Sequence, residues 1–367
     1  MTGERARARA TGTAVAGLGG PAGRRVLVAF DKFRGTATAS QLGDWVATVV
    51  RGYGCDPEVV ALSDGGEGFR EAFVGRVIAV EASDPWGERR LVPATLHRVG
   101  AVRVGVVTTA EVVGRDRDPS REEALRASSR GVGELLVALS ARGVSSVLLG
   151  AGGSATSDGG LGCYEALRDV GGLPVPVTVA ADVVAPFLAA RDFAHQKGVN
   201  PRDLVEVDRR LRDARERYRR ECGVDVAVLA RAGAAGGIAG ALAALGARLT
   251  SGFDEVARAT RLGARAARAA LVVTGEGRLD ESSLAGKVVG GVADVVDHAD
   301  RLLVVCGSAN RDARRDLEAR HPGVRVISLE DRVGPRATRR DLREALTMVV
   351  AEELQRRGEG VSCAGPR

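Results

Sequence analysis

The chain has 367 residues, of which 45% are hydrophobic and 27% charged, and its formal net charge is +6. This composition is typical of a soluble globular protein and excludes collagen-like and disulfide-scaffold classes. The apolar stretches are too short for a membrane-spanning helix. Aromatic residues make up only 3% of the chain and lie in no basic stripe, so we expect no nucleic-acid partner. The five cysteines are widely spaced, which predicts reduced thiols and a cytoplasmic protein.

The first elements in chain order predict a parallel α/β sheet. Residues 1–23 are small and arginine-rich without an apolar period, so we expect a disordered extension. The run RVLVAF at 25–30 reads as a buried strand. The helical pattern from residue 39 has Thr38 or Ser40 as its cap, and a second strand follows at 58–62. Strand, helix and strand in this order are typical of an α/β fold.

The middle of the chain has a different pattern. From about residue 76, strand-like runs follow one another without long helices, which predicts a mixed sheet in a second domain. Later elements restore the α/β alternation. We predict helices at 131–142, 201–222, 232–246, 286–299 and 338–357, and strands at 146–149, 269–274, 302–306 and 325–329. The simplest topology pairs residues 24–75 with 285–360 in one domain and inserts residues 76–284 as another.

Four glycine-rich or acidic loops follow predicted strands: DKFRG (31–35), SDGGEG (63–68), GGSATSDGG (152–160) and GEGRLD (275–280). Ligands of open parallel sheets bind at the carboxyl ends of the strands. Consecutive glycines with hydroxyl side chains suit a phosphate group. Lys287 opens a predicted helix but is followed by Val288, so the Walker spelling GxxxxGK(S/T) is absent and a standard P-loop NTPase is disfavoured.

Only three of the 53 basic residues are lysines, and each lies at a strand end or in a glycine-rich motif: Lys32, Lys197 and Lys287. Lysine and arginine are not interchangeable, so these positions mark candidate sites for a compact ammonium group. The four histidines show no metal-ligand spacing, and no Ser-His-Asp hydrolase motif is present.

Six motifs in register resemble those of the bacterial glycerate kinase family, which phosphorylates glycerate with ATP. They are FDKFR (30–34), SDGGEG (63–68), GGSATSDGG (152–160), QKG (196–198), GAAGG (233–237) and GEGRLD with GK (275–287). The resemblance covers about residues 25–310 and implies a Rossmann-like parallel sheet built from both chain ends, with an inserted flavodoxin-like α/β domain. It also implies that D-glycerate and MgATP give phosphoglycerate, with 2-phosphoglycerate the more usual product.

We assign candidate roles from loop position, residue chemistry and this resemblance. The candidate catalytic residues are Asp64, Lys287, Arg278 and Asp280, with Asp64 activating the attacking hydroxyl. The candidate substrate-binding residues are Asp31, Lys32, Arg34 and Arg278. The candidate nucleotide-binding residues are Gly152, Gly153, Ser154, Thr156, Lys197 and Lys287. The candidate ligands of Mg²⁺ are Asp158 and Asp182. Carboxylates and cations of this kind are what phosphoryl transfer requires.

Two departures from the family pattern keep other functions open. The segment DVVAPF (182–187) retains the first aspartate of the family's DVDNPL but lacks the second aspartate and the asparagine, and the stretch before it is shorter. One alternative is therefore a catalytically silent family member that acts as a binding or regulatory protein, and another is a kinase for a different short hydroxy acid. A dehydrogenase is disfavoured because no GxGxxG follows the first strand. A homodimer is left open.

Overall fold

The structure, a computed structural model, describes residues 25–66, 68–181, 183–284 and 286–362. The predicted extension at residues 1–23 lies outside this part of the chain. The chain divides into two compact units. Unit 1 comprises the described residues of Met1–Ala61, Leu262–Ala285 and Val292–Arg367, and unit 2 comprises those of Leu62–Arg261 and Gly286–Gly291.

Both units are built from strands alternating with helices. The strands of the described chain are β1 (Arg25–Phe30), β2 (Asp56–Ala61), β3 (Gly75–Ser83), β4 (Arg89–Val99), β5 (Val102–Thr108), β6 (Ser146–Ala151), β7 (Val177–Ala181), β8 (Arg248–Ser251), β9 (Leu271–Gly275), β10 (Arg278–Leu279), β11 (Leu302–Cys306), β12 (Ser308–Ala309) and β13 (Arg325–Ser328). Its α-helices are α1 (Ala39–Gly52), α2 (Thr109–Val113), α3 (Arg121–Arg126), α4 (Arg130–Ala141), α5 (Leu161–Arg168), α6 (Leu204–Cys222), α7 (Ile238–Ala244), α8 (Gly252–Thr260), α9 (Leu262–Ala266), α10 (Val288–Val295), α11 (Arg311–Arg320), α12 (Leu329–Val333), α13 (Pro335–Arg340) and α14 (Leu342–Ser362). This pattern confirms the predicted α/β class.

Unit 1 contains a five-stranded parallel sheet in the order β13-β11-β9-β1-β2. Apart from the half-buried Arg25 that begins β1, the residues of the central strands β9, β11 and β1 are buried, as is typical of parallel sheets covered on both faces. Helix α1 begins after Thr38. The Thr38 hydroxyl accepts a hydrogen bond from the Gln41 backbone N–H, and the Gln41 side-chain oxygen accepts one from the Thr38 backbone N–H. The predicted first strand and its capped helix are therefore confirmed.

Unit 2 contains a six-stranded sheet in the order β3-β4-β5-β6-β7-β8. Strands β3, β4 and β5 pair antiparallel, whereas β5 through β8 pair parallel. This confirms the predicted mixed sheet. Its core is formed by apolar residues of the strands together with helices α4, α5 and α7.

Some elements differ from their predicted extents. Strand β9 pairs with β1 and β11 in the sheet of unit 1, although the predicted division assigns it to the inserted segment 76–284. Local patterns do not show which distant strand a buried strand joins. The limits of the folding domains stay a prediction.

The helix predicted at 232–246 begins only at Ile238. The reason is a left-handed turn, since Ala235, Gly236 and Gly237 have φ angles of 53°, 72° and 96°. The predicted last helix is divided into α13 and α14. Within the described ranges, no helix is both long and apolar enough to cross a membrane.

Candidate active site

The carboxyl ends of β1 and β9 lie side by side in unit 1, where Phe30 pairs with Gly275. The backbone N–H of Asp31 donates to the Gly275 carbonyl at 3.1 Å. The Asp31 side chain is buried, and its Oδ1 accepts the Lys32 backbone N–H at 2.8 Å and lies 4.0 Å from Lys32 Nζ. These two adjacent candidate substrate-binding residues are therefore paired at the end of β1.

Arg34 lies in the tight turn that follows. Phe33 and Ala37 exchange backbone hydrogen bonds, and Gly35 at the tip has a φ of 74°. The Arg34 side chain is exposed. A Cβ at Gly277 would lie 3.4 Å from the Phe33 Cα and 3.5 Å from the Arg34 N, so the loop after β9 packs against this turn. The loops carrying Arg34 and Arg278 are thus neighbours within unit 1.

Arg278 and Asp280 belong to the loop after β9, in which β10 pairs with β12. Arg278 is exposed. The Asp280 Oδ1 accepts the Ser282 backbone N–H at 2.9 Å and the Ser282 hydroxyl at 2.6 Å, and the Asp280 N–H donates to the Ser283 hydroxyl at 3.0 Å. Asp280 therefore stabilises the 3₁₀ turn Glu281–Leu284. Its catalytic role stays a prediction.

Four parallel strands of unit 2 end at one edge of the sheet. Thr108 of β5 pairs with Gly150 of β6, Ala151 pairs with Ala181 of β7, and Ala181 pairs with Ser251 of β8. Because the register is continuous, the loops that follow these strands share this carboxyl edge, which is where open α/β sheets bind ligands.

Asp64 lies in a loop that packs on this edge. Its Oδ1 accepts the Gly66 N–H at 3.2 Å, and its side chain is half-buried. A Cβ at Gly65, where φ is 110°, would lie 2.7 Å from the Ala180 carbonyl oxygen, and a Cβ at Gly252 would lie 2.0 Å from the Asp64 carbonyl oxygen. Glycine permits both approaches because it has no Cβ. The fold thus places Asp64 beside the first turn of α8.

Lys287 also belongs to unit 2. Its neighbour Gly286 has a carbonyl oxygen 3.5 Å from the Ser251 hydroxyl, and Ser251 caps helix α8. The Lys287 side chain is half-buried. Lys287 and Asp64 therefore flank the same helix start, since one lies next to Ser251 and the other contacts Gly252.

The glycine-rich loop after β6 is hydrogen-bonded to helix α2. The Thr109 hydroxyl donates to the Gly152 carbonyl at 2.7 Å, and the Ala155 N–H donates to the Val113 carbonyl at 2.7 Å. Gly152 is buried, whereas Gly153, with a φ of 69°, is exposed. Gly153 is therefore the accessible one of the two predicted phosphate-binding glycines.

Lys197 reaches into this loop from a distant part of the chain. Its Nζ donates to the Ser154 hydroxyl at 3.1 Å and to the Thr156 carbonyl at 2.6 Å, and the lysine is 9% exposed. A Cβ at Gly236 would lie 2.7 Å from Nζ. The motifs GGSATSDGG, QKG and GAAGG thus form one packed cluster. Burial of the Lys197 ammonium indicates that it positions the loop, and direct contact of Lys197, Ser154 and Thr156 with a nucleotide stays a prediction.

The Asp158 carboxylate accepts hydrogen bonds from the starts of two helices, α4 and α5. Its Oδ2 accepts the Ser129 N–H at 2.8 Å, the Ser129 hydroxyl at 2.7 Å and the Gly162 N–H at 3.2 Å, and its Oδ1 accepts the Gly160 N–H at 3.0 Å. Burial, with the nearby charge of Asp158, raises the pKa of the Cys163 thiol. The four hydrogen bonds that Asp158 accepts occupy most of the acceptor positions of its carboxylate.

The second predicted metal ligand, Asp182, lies outside the described residues. Within the part of the chain that the structure describes, no three His, Cys, Asp or Glu side chains are grouped to hold a metal ion. The assignment of Asp158 and Asp182 to a metal therefore stays a prediction.

Two features of the carboxyl edge of unit 2 are missing from the sequence-based assignments. One is the start of α8. A serine is a common N-cap residue, so Ser251 was a sequence signal for this helix start, and its hydroxyl accepts the Asp254 N–H. Arg231 is the other. Its Nη1 donates to the Ala181 carbonyl at 3.2 Å, at the very end of β7, and no motif indicates this.

Comparisons with known proteins agree on one family. The model of the glycerate kinase family matches residues 26–170 and 173–352. The "Glycerate 2-kinase" of Escherichia coli (strain K12) is 31% identical over 330 residues, covering 78% of this chain and 86% of that protein. The "Glycerate kinase" of Haemophilus influenzae is 30% identical over 329 residues, with the same two coverages of 78% and 86%.

A solved structure agrees with the sequence matches. The crystal structure described as that of a "putative glycerate kinase 2" from Salmonella typhimurium LT2 has a TM-score of 0.73 at 29% identity, and the match covers 92% of this chain and 98% of that chain. The family match spans well over half of the chain and includes strands of both units. The chain therefore belongs to the glycerate kinase family.

Proposed function

We propose that this protein is an ATP-dependent kinase that phosphorylates a hydroxyl group of glycerate, with D-glycerate giving 2-phosphoglycerate as the principal reaction. The observation that carries the proposal is the similarity to the glycerate 2-kinase of E. coli, which extends over 78% of this chain. Acidic and basic residues lie at strand ends in each unit, and phosphoryl transfer requires groups of both kinds.

The cations of unit 1 suit the carboxylate of the substrate. Arg34 and Arg278 are exposed on neighbouring loops, and an arginine can bind a carboxylate through two parallel hydrogen bonds. Lys32 is paired with Asp31 at the adjacent strand end. In the proposed mechanism these residues hold the glycerate carboxylate and so orient the hydroxyl to be phosphorylated.

Asp64 and Lys287 of unit 2 suit the reacting groups. Asp64 is held by its bond to Gly66 and by close backbone packing, so its carboxylate can accept a proton from a substrate hydroxyl in a fixed geometry. The Lys287 ammonium would bind an oxygen of the transferring phosphoryl group. Asp31 and Asp280 remain competitors of Asp64 for the base, although Asp280 is already bonded within its own loop.

The residues present fit ATP better than they fit a preformed metal site. Gly153 offers an exposed backbone with positive φ beside the edge, which suits a phosphate oxygen. Asp158 is already engaged, because its Oδ2 accepts three hydrogen bonds and its Oδ1 accepts one, so only Oδ1 keeps capacity for Mg²⁺. Bound with ATP, Mg²⁺ would neutralise charge on the transferring phosphoryl group.

An acceptor panel tests the proposal. ADP release from MgATP is measured with D-glycerate, L-glycerate, glycolate, tartronate and no acceptor. Turnover with D-glycerate well above the other acids is expected. Preference for a different acid would support a kinase of another short hydroxy acid, which the altered DVVAPF segment keeps open. ATP binding without turnover on any acid would contradict the proposal and favour a silent binding protein.

A further inference from the structure

Arg231 has a backbone conformation that arginine rarely adopts. Its φ is 73°, and within the described residues the other non-glycine residues with positive φ are Ala235 and Arg261. A left-handed conformation costs a side-chain-bearing residue free energy that glycine avoids. The same segment uses glycine freely, with Gly236 and Gly237 both at positive φ. Because Arg261 shares this conformation, what sets Arg231 apart is the position and contacts of its side chain.

The surroundings of Arg231 lie at the carboxyl edge of unit 2. Its guanidinium donates to the Ala181 carbonyl at 3.2 Å, and its backbone N–H donates to the Val184 carbonyl at 3.3 Å. The preceding carbonyl of β7, that of Ala180, is the one against which Gly65 packs. Consecutive peptide groups of one strand end thus contact Arg231 and the loop that carries Asp64.

The charge of Arg231 is suited to a ligand. The side chain is half-buried, and one of its five N–H donors is bonded to the Ala181 carbonyl. A guanidinium in a fixed position is well matched to the paired oxygens of phosphate or carboxylate. The bond to the Ala181 carbonyl holds the Arg231 guanidinium at the strand end.

We propose that Arg231 binds an oxyanion of the ligand, either a phosphate group of the nucleotide or the carboxylate of the acid, at the carboxyl edge of β7. This proposal rests on the proposed function for the identity of the ligands. It adds to unit 2 a cation that the family motifs do not include.

The test compares Arg231→Gly with Arg261→Gly. Both substitutions replace an arginine at positive φ by glycine, so both relieve the same kind of strain. Arg261 is exposed and caps the far end of α8, nine residues from the helix start. Arg231→Lys serves as the conservative variant, because it keeps the charge but not the two-pronged geometry. Binding of MgADP, inorganic phosphate and D-glycerate is measured by calorimetry, and kcat and KM are measured for both substrates.

We expect Arg231→Gly to melt at or above the wild-type temperature while its affinity for at least one anion falls about tenfold to a hundredfold. A loss for MgADP and phosphate identifies the nucleotide as the source of the anion, and a loss for D-glycerate alone identifies the acid. Arg231→Lys should be intermediate, and Arg261→Gly should bind all three probes as wild type does.

Wild-type binding of all three probes by Arg231→Gly would overturn the proposal, and so would a wild-type protein that binds none of them. A wild-type protein that binds the probes but phosphorylates no acid would contradict the proposed function alone. In that case the difference in probe affinity between the wild type and Arg231→Gly would still test the role of Arg231.

Discussion

The ammonium of Lys197 donates a 2.6 Å hydrogen bond to the carbonyl of Thr156, 41 positions earlier in the chain. The same Nζ reaches the Ser154 hydroxyl, and all three residues are buried. We therefore expect Lys197→Met to lower the free energy of unfolding by about 2–4 kcal/mol, because a buried carbonyl loses its donor and a packed cluster is disturbed. Urea unfolding followed by circular dichroism measures this change.

A double-mutant cycle with Ser154→Ala separates this role from ligand contact. Ser154→Ala should cost less in the Lys197→Met background than in the wild type, with a coupling of about 1 kcal/mol. If Lys197→Met unfolds like the wild type and only the KM for MgATP rises, then Lys197 contacts the nucleotide and the positioning role is wrong.

Asp158→Asn should destabilise unit 2 without changing the dependence on Mg²⁺. The substitution weakens acceptors for the Ser129, Gly160 and Gly162 groups at the starts of α4 and α5, and we expect a loss of about 2–4 kcal/mol. Asp169→Asn is the matched control, since its carboxylate is 67% exposed and pairs with Arg130 at 3.7 Å. It should change stability by less than about 0.5 kcal/mol. A fully stable Asp158→Asn variant that requires much more Mg²⁺ would show a metal ligand instead.

Gly252→Ala tests the packing that holds Asp64. The new methyl group would lie 2.0 Å from the Asp64 carbonyl oxygen, so the loop has to move. A shift of about 1 Å in a reacting group can reduce turnover on the order of a hundredfold, and we expect a loss in kcat of about tenfold or more.

Gly52→Ala is the control for this substitution, because a Cβ there meets nothing within 4 Å. It should leave kcat unchanged. Equal kcat values for the wild type and Gly252→Ala would show that the position of Asp64 does not limit the reaction.

Glu353 gives a prediction of pH dependence in unit 1. Its buried carboxylate contacts Arg356 and Arg357 at 2.7 Å and Arg325 at 3.3 Å. Burial alone would raise the pKa of Glu353, but the hydrogen bonds and charges of these arginines outweigh it and lower the pKa below the ordinary value of 4.5. Since the folded pKa is the lower one, this carboxylate stabilises the fold above the unfolded pKa, and the stabilisation is lost as the pH falls through the folded pKa.

The measurement compares the urea unfolding of wild type, Glu353→Gln and Glu352→Gln across this pH range. Glu353→Gln should cost about 1.5–3 kcal/mol at neutral pH, because hydrogen bonds to a charged group are lost while the partner arginines keep access to water. The difference should shrink as the pH falls below about 4.5. Glu352 is 45% exposed, so Glu352→Gln should differ little from the wild type at any pH. A Glu353→Gln deficit that stays constant in acid would contradict the assigned cause.

Local patterns were sufficient to predict the strands that carry the candidate residues. The apolar run before Asp31 and the caps of α1 are short-range signals, and both are confirmed. The positions of the acidic loops at strand ends follow from the same signals. Fold class and mixed sheet were therefore accessible from sequence.

Long-range relationships were not accessible in this way. Nothing local shows that β9 joins the sheet of unit 1 or that Lys197 lies under the loop of Ser154. The left-handed conformation of Arg231 is likewise invisible, because the chain places arginine where glycine is the usual choice. Pairing and strain of this kind depend on the whole fold.

Phosphorus NMR of the protein with MgATP and D-glycerate tests the central claim most directly. The account predicts that the γ-phosphate signal of ATP is replaced in equal amount by ADP and by 2-phosphoglycerate, with no free phosphate released. Hydrolysis to phosphate alone, or ATP that stays intact beside D-glycerate, would contradict it.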